Sequence, residues 1–325
     1  MISYAQNAED VVLARLFGGR ASGRYVDIGA GDPVEDSVTK HFYDLGWTGL
    51  NIEPVPALVE RLAAARPRDV NLPAAVSAKP GTAVLHVVPD AWGRTTLDGD
   101  LAGRYRDEQD WQVREIEVEL VTLADVLAEH PGEIDFLKID VEGAERDVIE
   151  GADWTRHRPR IVVVEATDPG SATPAYESWE PVLTDAGYRC ALFDGLNRFY
   201  AQTQDEEAFA SLKSPASVLD AYERYDMAQL RAALENAQPH RAAEVGYIRR
   251  LEEGLREMRE AHEKDAIYVK SLEEAVASER RRAMAATRYA SALENRVAEL
   301  ETAAVEAMNR AASPGRRQNP DRNAG

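Results

Sequence analysis

The chain has 325 residues, 44% of them hydrophobic, and carries 57 acidic side chains against 38 lysines and arginines, for a net charge of −19. That length supports one sizeable α/β domain plus an appendage, and the acidity, which lies before residue 248, excludes a nucleic-acid surface because phosphate contacts need clustered cations. The single cysteine, Cys190, excludes an internal disulfide and reads as a core residue in an apolar run.

The opening Met1-Ile2-Ser3-Tyr4-Ala5-Gln6 has no basic start followed by an apolar core, and no apolar run reaches the length of a membrane span, so a cytoplasmic protein is expected. Val11, Val12 and Leu16 have helical spacing, which predicts a helix over 7–16 laid across a ligand cleft. Arg24-Tyr25-Val26-Asp27-Ile28-Gly29-Ala30-Gly31-Asp32 then reads as a short strand that ends in an acid and opens onto two glycines. Gly29 and Gly31 let the backbone pass close beneath a ligand. Glu53, at the end of the next predicted strand (49–53) and 22 residues after Gly31, is placed to accept hydrogen bonds from a ribose.

Which nucleoside follows from what is missing. Val34 stands where a dinucleotide fold needs its third glycine, and Asp32 and Glu35 would repel a pyrophosphate. Neither a phosphate-binding Gly-x-x-x-x-Gly-Lys loop nor a Tyr-x-x-x-Lys pair occurs, which disfavours an ATPase and a nicotinamide dehydrogenase. A cationic, phosphate-free ligand such as S-adenosylmethionine (SAM) suits these acids.

Further strands are predicted over 70–76, 134–139 and 160–165, alternating with helical segments, as in a parallel sheet covered on both faces. Segments 83–88 and 115–121 alternate like an inserted hairpin bracketing a polar loop, 92–110. Segments 188–193 and 198–201 flank Asp194-Gly195, the signal for an antiparallel hairpin.

Four blocks carry a family resemblance: Ser3-Tyr4-Ala5-Gln6-Asn7-Ala8-Glu9-Asp10, the Tyr25–Gly31 turn, Ile134-Asp135-Phe136-Leu137-Lys138-Ile139-Asp140-Val141-Glu142-Gly143-Ala144-Glu145, and Phe193-Asp194-Gly195-Leu196-Asn197-Arg198-Phe199-Tyr200. Together they resemble the FkbM family of SAM-dependent methyltransferases over about residues 1–203. The resemblance implies a Rossmann-like class I methyltransferase fold, mostly parallel and seven-stranded with a reversed last strand. It also implies O-methyl transfer to sugar hydroxyls or polyketide alcohols, often in surface-glycan or natural-product biosynthesis.

On that basis Asp27 is expected near the methionine ammonium, Gly29 and Gly31 beneath the cofactor, Glu53 on its ribose, and Asp140 beside it. A turn or capping residue is the lesser reading of Asp27. Asp140 ends the fourth strand at the edge where ligands bind, Lys138 shares its face, and Glu165 ends the next strand, so these three are the candidate catalytic residues. Asp140, Glu142 and Glu165 would converge on a substrate hydroxyl or on a divalent cation. The Lys-Ile-Asp-Val-Glu-Gly block differs from magnesium-dependent sugar methyltransferases, and no metal ligand is assigned. Glu142 and Glu145 also read as first-turn acids favoured by a helix dipole. Trp92, Arg94 and Thr95, with Asn197 and Arg198, offer an aromatic face and planar hydrogen-bonding groups for a sugar, although a packed tryptophan reads equally well. The histidines lack metal-ligand spacing.

Beyond 247 the pattern changes. From Ile248 as a and Leu251 as d, fifteen of eighteen heptad core positions up to Ala307 are apolar, which predicts a coiled coil or a long helical hairpin rather than a globular domain. His262 and Asp265 form a polar layer in that seam. The expected organisation is a methyltransferase domain (1–203), a helical linker (204–247), a coiled coil that makes a homo-oligomer (248–310) and a disordered tail (311–325). A different reading of the same features is a non-catalytic nucleoside-binding scaffold that docks glycosyltransferases through its coiled coil.

Overall fold

The computed structural model describes residues 1–89, 91–109, 111–171, 173–261 and 266–312. His262, Asp265 and the tail from 313 onward lie outside the described residues. The chain divides after Tyr222 into two units.

The first unit is built from strands β1 (Arg24–Ile28), β2 (Thr48–Ile52), β3 (Val70–Leu72), β4 (Ala75–Val76), β5 (Gly81–Val87), β6 (Arg114–Val121), β7 (Phe136–Ile139), β8 (Ile161–Glu165), β9 (Tyr188–Phe193) and β10 (Asn197–Gln202). Seven of them form one sheet in the order β9-β10-β8-β7-β1-β2-β3. The β1, β2, β3, β7 and β8 neighbours pair in parallel, whereas β10 runs antiparallel to both β8 and β9. The Asp194-Gly195 turn is the reason: Asp194 accepts hydrogen bonds from the Leu196 and Asn197 amides, and Gly195 takes the left-handed φ of 105° that the reversal requires.

Alternation along β1 and β7 divides their side chains between two cores. Val26, Ile28, Leu137 and Ile139 pack on one face with Leu127, Trp154 and Leu183. Tyr25 and Phe136 pack on the other with Phe17, Phe42 and Trp47. Phe17 closes α1 (Glu9–Phe17), whose start is anchored by Asp10: this buried carboxylate accepts from Ser3 Oγ at 2.7 Å and from the Tyr4 and Val11 amides.

The strand expected over 70–76 breaks in two. Pro73 has no amide to donate to a ladder, so β3 ends at Leu72 and β4 joins a separate three-stranded sheet of order β4-β6-β5. That small sheet carries the predicted inserted hairpin, with β5 and β6 antiparallel. The expected polar loop over 92–110 is largely a helix. After α2 (Pro56–Ala65), which follows β2, α3 (Gly99–Gln109) starts on Asp98, whose carboxylate accepts from the Asp100 and Leu101 amides, and it buries Leu101 and Tyr105 against Val88. Its apolar positions are too few for periodicity to show.

After β7 comes α4 (Glu145–Glu150), and beyond β10 comes α5 (Glu206–Ser211). The segment that follows Thr203 belongs to the first unit: Arg160 pairs with Asp205 at 2.6 Å, and Arg15 pairs with Asp220 at 2.7 Å. The second unit contains α6 (Tyr225–Ala261) and α7 (Ala266–Ala312). They pack on each other, burying Leu255, Val276 and Ala290, and Glu252 pairs with Arg280. The heptad seam is thus shared between two helices, with Ile248, Leu251 and Leu255 on α6 and the positions from Val269 onward on α7, and α6 continues through 247 without interruption.

Candidate functional site

The register of the sheet assembles the site. Ile28 lies opposite both Ile52 and Ile139, and Ile139 opposite Val164, so Gly29, Glu53, Asp140 and Glu165 all fall at the same level, at the carboxyl edge of the parallel strands. A cleft of about 950 Å³ opens there, and all four line it together with Gly31, Lys138 and Glu142.

The turn after β1 is tight. Gly29 has a φ of 75°, its amide donates to Ile52 O at 3.0 Å, and a Cβ there would stand 1.9 Å from Asp140 O. No other residue fits. Gly31, at a φ of 61°, faces open space, since a Cβ would meet nothing within 4 Å. Glu53 is 5% exposed and stitches this turn to its own strand end: one carboxylate oxygen accepts from the Gly31 amide at 2.9 Å and the other from the Val55 amide at 2.8 Å. Burial raises its pKa to about 7. Leu58 on α2, Ala74, Ala75, Val76 and Leu85 add an apolar stretch of wall beside it.

At the other end of the cleft sits a buried charge network. Asp27 and Lys138 face each other in register on β1 and β7, and the Lys138 ammonium lies 3.0 Å from Asp140 Oδ2 and 3.9 Å from Asp27 Oδ1. Burial opposes its charge, but Asp140, Asp27 and Glu9 outweigh it and hold the ammonium above the usual lysine range. Lys138 is therefore a fixed cation rather than a base. Thr39 donates to the second Asp27 oxygen at 2.9 Å, and the buried Arg66 donates to Thr39 at 2.7 Å.

Asp140, Glu142 and Glu165 converge, each offering an oxygen within 4.8 Å of the others. Burial, then Asp140, raises the Glu142 carboxyl to about 8. Burial, then Asp140 and Glu142, pushes the Glu165 carboxyl well above the carboxylate range, and one Glu165 oxygen is buried without a hydrogen bond. Three oxygens so placed can share protons, hold a hydroxyl or bind a divalent cation. Glu145 instead braces the backbone, accepting from the Val141 and Gly143 amides.

The insertion closes over this group. Thr96 Oγ1 donates to Glu142 O at 2.8 Å, and Trp92, Arg94 and Thr95 stand on the wall. Three expected site residues do not. Asp27 is 1% exposed and off the wall, its carboxylate beside the Lys138 ammonium and bonded by Thr39. Asn197 is buried and donates to Glu9 Oε1 at 2.7 Å, and Arg198 packs over the Tyr176 ring at 3.6 Å and pairs with Glu180.

Glu9 is a wall residue that sequence reasoning passed over. It is 3% exposed, accepts from the Asn7 amide and Asn197, and burial, then Asp194, raises its pKa to about 8. In sequence it reads as an ordinary first-turn acid of α1. Only the return of β10 beside β8 brings Asn197 to it.

Two comparisons bear on this geometry. The family described as Methyltransferase FkbM domain matches residues 27–190, just over half of the chain. The chain is also similar to Methyltransferase sdnD of Sordaria araneosa, 38% identical over 92 residues that make up 25% of this chain and 34% of that protein, so the match spans about a third of that relative's length.

The raised carboxyl of Glu142 has a consequence for stability. The folded state holds this proton up to about pH 8, whereas the unfolded chain releases it near 4.5, so its contribution is present at low pH and lost as pH rises through that window. Glu142→Gln, which cannot ionise, should match the parent in urea unfolding at pH 5 and exceed it by about 1 to 2 kcal/mol at pH 8, less than full linkage because the side chain is only partly buried. Parallel stability curves for the two proteins would show an ordinary carboxylate.

Proposed function

Because the chain belongs to the FkbM methyltransferase family, we propose that it transfers a methyl group from SAM to a hydroxyl of a sugar, in a surface glycan, a glycolipid or a glycosylated natural product. The observation that carries this reading is the in-step ending of β1, β2, β7 and β8, which sets a glycine turn and Glu53 at one end of a single cleft and a carboxylate group at the other. A reversed last strand beside β8, as in β10, is also what a methyltransferase version of this sheet has and a purely parallel dinucleotide sheet lacks.

The wall suits the cofactor. Gly31 leaves open space, Glu53 retains lone pairs for ribose hydroxyls beyond its two backbone bonds, and the Leu58 to Val76 stretch suits a base. When bound, SAM supplies an electrophilic methyl on a cationic sulfonium, which an acceptor hydroxyl takes in line. The chain's own residues must hold that hydroxyl and receive its proton. Asp140 is the proposed base, kept in place by Lys138, with Glu165 as the second carboxyl on the hydroxyl; Trp92, Arg94 and Thr95 hold the acceptor. Asp27 acts on Lys138 rather than on the cofactor.

Among the described residues no helix is long and apolar enough to cross a membrane, and a cytoplasmic location goes with this proposal. So does self-association: the α6–α7 pair leaves Leu251, Leu272, Leu293 and Val297 only partly covered, and a second copy would complete the cover. Deleting 223–325 should turn a dimer into a monomer by light scattering; a monomeric full-length chain would leave that seam to a different protein.

Two substitutions test the chemistry. Glu53→Gln should weaken SAM binding by about 1 to 3 kcal/mol in calorimetric titration, with part of the loss arising from the Gly31 or Val55 amide that loses its acceptor. An unchanged dissociation constant removes Glu53 from the site. Asp140→Asn should abolish most turnover whether Asp140 is a base or a metal ligand. Turnover that survives exhaustive EDTA treatment favours the base; loss restored by magnesium favours a cation on Asp140, Glu142 and Glu165.

A further inference from the structure

The cations of the cleft are unequally occupied. Among the described residues its wall carries three: Lys138, Arg61 and Arg94. Lys138 is committed to Asp140 and Asp27, and Arg61 pairs with Asp32 at the mouth. Arg94 has no carboxylate within the 4.0 Å of an ion pair among the described residues. Its guanidinium lies over the Tyr105 ring, 5.8 Å from the centroid, and against Gly170, where a Cβ would stand 2.2 Å from Nη1. Gly170 is thus the residue that leaves room for it.

Arg94 is also held beside the reacting end of the cleft. Its neighbour Gly93 lies where a Cβ would be 4.0 Å from Glu142 Oε1, and Thr96, two residues on, is bonded to the Glu142 backbone. In a chain with a net charge of −19, carboxylates are plentiful, and leaving a cation on the cleft wall without one marks a place kept for an anion from outside.

We propose that Arg94 is the anion-recognising residue of the acceptor subsite, so that the acceptor sugar carries a carboxylate or a phosphate near the hydroxyl that is methylated. This rests on the methyltransferase reading above. A planar guanidinium takes either group in a paired, bidentate fashion, while Trp92 supplies an apolar face for the ring. Glu142 is an acid on which the Arg94 charge bears, from beyond ion-pair distance.

The test uses the full-length protein loaded with S-adenosylhomocysteine and three probes: methyl glucuronide, methyl glucoside 6-phosphate and neutral methyl glucoside. At least one anionic probe should bind about tenfold or more tightly than the neutral one, as a charge-assisted pair implies. Arg94→Gln should reduce that ratio to about one and Arg94→Lys should keep part of it. A stronger preference for the uronate or for the phosphate identifies the source of the anion. Equal binding of all three, no binding of any, or a preference that survives Arg94→Gln overturns the proposal. SAM titration of the same proteins keeps the two readings apart: a parent protein that fails to bind SAM strikes the methyl-transfer reading, whereas normal SAM binding without anion preference strikes only this one.

Discussion

The buried ammonium of Lys138 is the interaction on which the rest of the site depends. It sits between Asp27 on the neighbouring strand and Asp140 on its own, inside a sheet edge otherwise walled by carboxylates. Breaking a buried pair by removing one partner leaves an uncompensated charge, which costs several kcal/mol, so the three residues stand or fall together. Behind them Thr39 and the buried Arg66 continue the network under the glycine turn, and Arg66 also donates to the Pro33 carbonyl of that turn. The turn that suits a cofactor and the carboxylate that suits an acceptor hydroxyl are therefore held by one set of charges.

The acids around this cation behave differently from one another because their surroundings differ. Glu53 is satisfied by two amides, Glu145 by two more, while one oxygen of Glu165 has no donor. Burial, and after it the like charge of Asp140, is why Glu142 and Glu165 keep their protons well above the usual range. A cationic ligand entering the cleft, such as the sulfonium of the proposed cofactor, would favour their ionised forms.

The insertion between β3 and β7 supplies the side of the cleft that the parallel sheet cannot. Its hydrogen bond from Thr96 to the Glu142 carbonyl fixes Trp92, Arg94 and Thr95 over the carboxylates. In the proposed reading, acceptor choice falls to a segment separate from the strand ends assigned to the cofactor, in keeping with loops on a rigid sheet carrying specificity.

The strands and the strand-end residues were legible in the sequence because their signals are local. β-branched runs that end in Gly29, Glu53, Asp140 and Glu165 mark a parallel sheet and its carboxyl edge, and Asp194-Gly195 marks the reversal before β10. Register could not be read that way. It decides that Asp27 and Lys138 face each other, so that Asp27 is taken up by that ammonium, and that Asn197 reaches Glu9 from 188 residues away. The helix over 99–109 was hidden for a similar reason, since its few apolar side chains acquire meaning only against Val88. Heptad spacing likewise established long helices with an apolar seam, but spacing is silent on what covers a seam; the packing of α6 on α7 decided that part of it closes within the chain, because burial is settled by which surfaces meet and not by the order in which residues are written.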